Sequence, residues 1–116
     1  MARVVAFVPD LLFGSNVLGA LRAAGHDAVL ASDQEAIRRE LPGADALVVD
    51  LTADAGERIR LVTDVPHTGV KTLAFYSHVE ADVRSQAEQA GFDLVIPRSR
   101  MNREGAALLT GLLETD

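Results

Sequence analysis

A chain of 116 residues is long enough for one domain with a single real core, and 48% hydrophobic residues argue against a disordered chain. A net charge of −6 argues against nucleic acid as the main partner, because phosphate binding needs a basic face. Cysteine is absent, which removes disulfides, zinc–thiolate sites and thiol nucleophiles together.

In chain order, Arg3 to Val8 is a continuous valine-rich run, as expected of a strand buried on both faces. Leu11 to Ala24 switches to helical spacing, with Phe13, Val17, Ala20, Leu21 and Ala24 on one stripe and Gly25 as the stop. Ala28 to Ala31 reads as a short second strand. Ser32 and Glu35 form a capping-box pattern for a brief helix that carries Ile37 and Leu41 and ends at Pro42-Gly43. Ala44 to Asp50 is a third strand, and Asp54 to Val65 a third helix on Ala55, Ile59 and Val62. Pro66-His67-Thr68-Gly69 is a turn before a fourth strand, Val70 to Ser77. Val79, Val83, Ala87 and Ala90 stripe a fourth helix that ends at Gly91. Asp93 to Pro97 is a fifth strand, and Asn102 is placed to cap a last helix running to about Leu113.

Strand and helix thus alternate through residues 1–116 as one domain, with no linker or low-complexity tract. Short connections of this kind predict an α/β fold: a doubly wound five-stranded parallel sheet, order 2-1-3-4-5, between helices in three αβα layers. No apolar run reaches membrane-spanning length, and Met1-Ala2-Arg3 leads straight into a strand, so a cytoplasmic domain is expected.

In such a sheet the residues just after each strand converge on one edge, where open α/β folds bind ligands and do chemistry. Here they are Asp10, Asp50 with Thr52, Ser77 with His78, and Arg98-Ser99-Arg100. Over essentially its full length the chain resembles the receiver domain of two-component response regulators. The resemblance implies a phosphoacceptor carboxylate at Asp50, a phosphoryl-contacting hydroxyl at Ser77, and Asp10 as one member of an acidic pair that binds Mg²⁺ with Asp50. Three departures stand out. Pro9 replaces the second acid, Pro97-Arg98 stands where Lys-Pro is expected, and the turn after Asp50 lacks the usual Met-Pro and Asp-Gly. With one carboxylate fewer and no lysine, a divalent cation is expected to be held weakly if at all. Arg98 is then the candidate cation at the site.

Each of these residues also has a plain structural reading. Asp10 and Asp50 can cap the segments that follow them. Arg98 or Arg100 can balance the crevice carboxylates by ion pairing. Gly14-Ser15-Asn16-Val17-Leu18-Gly19 is neither a dinucleotide fingerprint nor a phosphate-binding loop, so no nucleotide cofactor is expected.

The last helix carries Ala106, Leu109 and Leu113 on one stripe, with Leu108 and Leu112 beside it. One stripe suffices for packing on a sheet, so Leu108 and Leu112 are expected to meet a second copy in a homodimer. The expected function is that of a stand-alone receiver-like signalling module with impaired phosphorylation, acting by contact with another signalling protein. One alternative is a working phosphoacceptor that uses Asp50, Ser77, Asp10 and Arg98. A weaker one is a small enzyme that uses the Asp10/Asp50 pair.

Overall fold

The computed structural model describes residues 2–115. Its elements run β1 (Arg3–Phe7), α1 (Leu11–Ala23), β2 (Asp27–Ala31), α2 (Gln34–Glu40), β3 (Ala46–Asp50), α3 (Ala55–Thr63), β4 (Lys71–Tyr76), α4 (Ala81–Gln89), β5 (Leu94–Pro97) and α5 (Arg98–Leu113). The five strands pair in parallel in the order β2-β1-β3-β4-β5, the doubly wound arrangement expected from the sequence. Register is set by the central strands, with Val5 opposite Leu47 and Leu47 opposite Thr72.

Strand alternation divides the core in two. Val5, Phe7, Leu47, Val49, Ala74 and Tyr76 face one way and pack under Ile37, Val62, Val83 and Ala87 of α2, α3 and α4. Val4, Ala6, Val48, Leu73 and Phe75 face the other way and pack under Phe13, Val17, Leu21, Met101 and Leu109 of α1 and α5. Burial on both faces is what makes these strands read as unbroken apolar runs.

Several local expectations change in detail. The cap of α2 is Asp33, not Ser32: its carboxylate accepts the Ala36 N–H at 2.8 Å, satisfying a donor that the first turn leaves free. On α1, Ala20 and Ala24 are exposed, and Gly14 joins Phe13, Val17 and Leu21 on the buried side. A side chain at Gly14 would meet the Val8 carbonyl at 3.0 Å, so the glycine is what lets the helix lie close on the strand. Val79 lies outside α4, in a turn closed by the Glu80 N–H on the Ser77 carbonyl, and is exposed.

The last helix starts at Arg98, so Asn102 is interior and not its cap. Met101, Gly105 and Leu109, four residues apart, extend the buried stripe back by a turn and draw the Arg98–Met101 segment into the helix. Leu108 and Leu112 are not spare apolar surface. Both are half-buried against the core, with α5 packing beside α1 as well as on the sheet. Leu109→Ala is therefore expected to cost about 2–5 kcal/mol in urea melts, the usual range for a buried leucine. Leu12→Ala, on a side chain 77% exposed, should change stability by no more than about 0.5 kcal/mol. Equal losses would contradict the packing described.

Candidate functional site

The strand order reverses between β1 and β3, and there α1 and α3 depart to opposite faces of the sheet. The crevice left at the carboxyl ends of these strands has a volume of about 290 Å³, and Asp10, Phe13, Asp50, Thr52, Arg58 and Arg98 line it. It therefore gathers three of the four residues expected from the sequence. Ser77 is not among the lining residues; it is half-buried at the end of β4, and its carbonyl closes the turn to Glu80.

Asp50 governs the local chemistry. β3 is buried along its whole length, and Asp50 ends it only 2% exposed. A carboxylate taken out of water this far needs partners, and it has them on both oxygens. Oδ1 accepts the Thr52 backbone N–H at 2.8 Å and the Thr52 hydroxyl at 2.5 Å, in the local turn that aspartate favours. Oδ2 lies 3.5 Å from Nη1 of Arg58, which also donates to the Asp50 main-chain carbonyl at 3.0 Å. The Arg58 side chain is only 14% exposed, so this ion pair is largely shielded from water. To bring Arg58 back over the strand end, the chain turns through Asp54 in the left-handed region at φ 49°, a conformation that aspartate tolerates better than most residues.

The arginine that neutralises Asp50 is thus neither Arg98 nor Arg100. Arg100 reaches Glu104 on its own helix at 3.4 Å. Arg98 lies over the Phe13 ring, 4.2 Å from its centroid, and Phe13 in turn meets Phe75 edge-to-face at 5.1 Å. That stack ties the start of α5 to the first turn of α1 and to β4. Arg58 was legible in principle. It stands three residues after Ala55 and four before Val62, on the buried stripe of α3, where an arginine needs a buried partner.

Asp10 does what its plain reading expects. It is the N-cap of α1, with Oδ1 accepting the Phe13 N–H at 2.9 Å.

The crevice residues do not fit a bound Mg²⁺. One Asp10 oxygen is committed to the helix cap, Asp50 Oδ1 is taken by Thr52, and the Arg58 guanidinium stands 3.5 Å from Asp50 Oδ2. Among the described residues no group of three or more His, Cys, Asp or Glu is placed to hold a metal ion. An octahedral oxygen shell has no basis here. The only lysine in the sequence, Lys71, begins β4 at the opposite edge of the sheet.

No protein-family model matches the chain, and no curated protein matches it by sequence. Solved structures do match. A response regulator from Thermotoga maritima superposes with a TM-score of 0.81 at 16% identity, covering 99% of each chain. A response regulator receiver protein from Burkholderia phymatum gives 0.82 at 17% identity, covering 100% of this chain and 98% of that one. An orphan response regulator of H. pylori gives 0.78 at 16% identity, covering 97% of each. The chain has the receiver fold from end to end, a flavodoxin-like α/β arrangement. At these identities the likeness is one of fold.

Removing Arg58 leaves a buried carboxylate uncompensated, so Arg58→Ala is expected to cost about 3–5 kcal/mol in denaturant melts. The exposed cation–π contact makes Arg98→Ala worth only about 0.5–1 kcal/mol. The double variant Asp50→Asn, Arg58→Ala should regain much of the loss, since no charge is then buried alone. Equal effects of the two arginine variants would refute the assignment of Arg58 as the partner of Asp50.

Proposed function

We propose that the chain is a receiver-like signalling module that acts by contact with another signalling protein and does not take a phosphoryl group on Asp50. One observation carries this reading: the Asp50 carboxylate is tied up within the chain itself, with Oδ1 accepting two hydrogen bonds from Thr52 and Oδ2 ion-paired with Arg58 at 3.5 Å. A carboxylate nucleophile must aim a free lone pair at the phosphorus while a cation offsets the gathering charge. Here Oδ1 already accepts two bonds from Thr52 and Oδ2 faces the Arg58 guanidinium, so attack from either oxygen would disturb a turn or a shielded ion pair.

Contact with a partner is supported at the same edge. Leu11, Leu12 and Val79 are 79%, 77% and 76% exposed, and they sit where α1 begins and where the chain leaves β4. Large apolar side chains left open beside a buried polar site fit a protein surface as their cover. The partner reading also accords with the net charge of −6, which disfavours nucleic acid. Among the described residues no helix is long and apolar enough to cross a membrane.

A second reading has its own observation. The Arg58 guanidinium is a cation already in place beside Asp50, and the Thr52 hydroxyl is a donor, so the pair offers part of what phosphoryl transfer needs. Acetyl phosphate with Mg²⁺, followed by intact mass measurement, separates the two. The expected result is no phosphate adduct on the wild-type chain. A stoichiometric adduct that disappears in Asp50→Asn would establish the second reading instead.

A further inference from the structure

A cleft lies far from Asp50, at the edge where the strands begin. About 620 Å³ opens between the α2–β3 connection and the α3–β4 connection. Its two walls are turns of the same kind. In one, the Ala44 N–H donates to the Leu41 carbonyl at 2.9 Å, with Gly43 at φ 82°. In the other, the Val70 N–H donates to the His67 carbonyl at 3.0 Å, with Gly69 at φ 83°. Glycine at the third position with φ near +80° is what a type II turn requires, and Pro42 and Pro66 stiffen the two walls further. Leu41 and Val65 anchor them, each 3% exposed in the core. The cleft is therefore built before any ligand arrives, which lowers the ordering cost of binding.

Its one charged side chain is Arg38, and among the described residues no acidic one lines the cleft. The nearby Glu40 pairs with Arg3 at 3.3 Å, and the Asp45 carboxylate accepts the Arg3 main-chain N–H at 2.8 Å. Arg38, at the rim, makes no ion pair or side-chain hydrogen bond among the described residues. His67 Nδ1 lies 2.7 Å from the Val65 carbonyl, which can only accept, so Nδ1 carries a proton and Nε2 is left without a partner among the described residues. In a chain of net charge −6, an unpaired guanidinium beside a cleft walled by Pro42, Ala44, Pro66 and Val70 is complementary to an amphipathic anion.

We propose that this cleft binds a free small organic acid, its apolar body between the two proline-bearing turns and its carboxylate on Arg38. The volume lies within the usual range for small-molecule sites. The proposal is independent of any reading of Asp50, since neither edge supplies a residue to the other.

The test is an NMR titration of the full chain with phenylacetate and octanoate, against phenylacetamide and phenethylamine as neutral and cationic counterparts. The acids should give saturable shifts at the amides of Gly43, His67, Gly69 and Val70. The neutral amide should bind about tenfold more weakly, the worth of one charge-assisted hydrogen bond. Arg38→Ala, on an exposed helix position, should keep the far-UV spectrum and bring the acid down to the affinity of the amide. Three results would overturn the proposal: no saturable shift at these amides, equal binding of acid and amide, or shifts confined to Leu11, Leu12 and the Asp50 crevice.

Discussion

A carboxylate at the end of a fully buried strand cannot be left alone, and the connection from β3 to α3 is shaped by that requirement. Asp50 is 2% exposed, so its charge must be met by donors within a few ångströms. Thr52 supplies two of them from the adjacent turn, at no cost in chain reach. The compensating charge comes from Arg58, eight residues on, which ion-pairs with Oδ2 and donates to the Asp50 main-chain carbonyl; the chain bends sharply at Asp54 and starts α3 directly afterwards. The short connection and the left-handed residue are thus consequences of one buried charge.

The same requirement separates the two acids of the crevice. Asp10 is exposed and has water available, so it can spend one oxygen on the first turn of α1 and need no arginine. Arg98 is accordingly free to settle on Phe13, where the ring face offers a partner that does not compete with Arg58. Close carboxylates would repel each other if both were buried and unpaired. Here one is solvated and the other is neutralised from a different helix, so both are tolerated within one crevice of about 290 Å³.

The strand order and the helix-covered parallel sheet were legible because burial on both faces leaves a signature in the residues themselves. Val4 to Val8 and Ala46 to Val49 read as strands without any knowledge of their partners. The convergence of Asp10, Asp50 and Arg98 followed from topology alone. What escaped was decided by distance in three dimensions. Arg98, Arg100 and Arg103 form a dense local cluster that draws attention, yet Arg58 alone stands on a buried helical stripe. Leu108 and Leu112 looked surplus to a helix on a sheet, because the flank of α1 that helps cover them cannot be read from α5. Asn102 looked like a cap only while Met101 was not counted with Gly105 and Leu109.

The ion pair also explains how α3 begins. Its N-cap, Asp54, makes no side-chain hydrogen bond to the first turn. A helix of only nine residues has little stability of its own. Its far end is held by Val62 and by Val65 just beyond it, both in the core; its near end is held by Arg58 on the Asp50 carboxylate and main-chain carbonyl. The arginine therefore supplies the anchor that a capping side chain provides elsewhere, and it does so with the charge that Asp50 needs. A dissociable metal ion could neutralise the carboxylate but would leave α3 without its tether. In this chain one covalently attached cation meets both demands, and the position of α3 and the pairing of the Asp50 carboxylate are bound together.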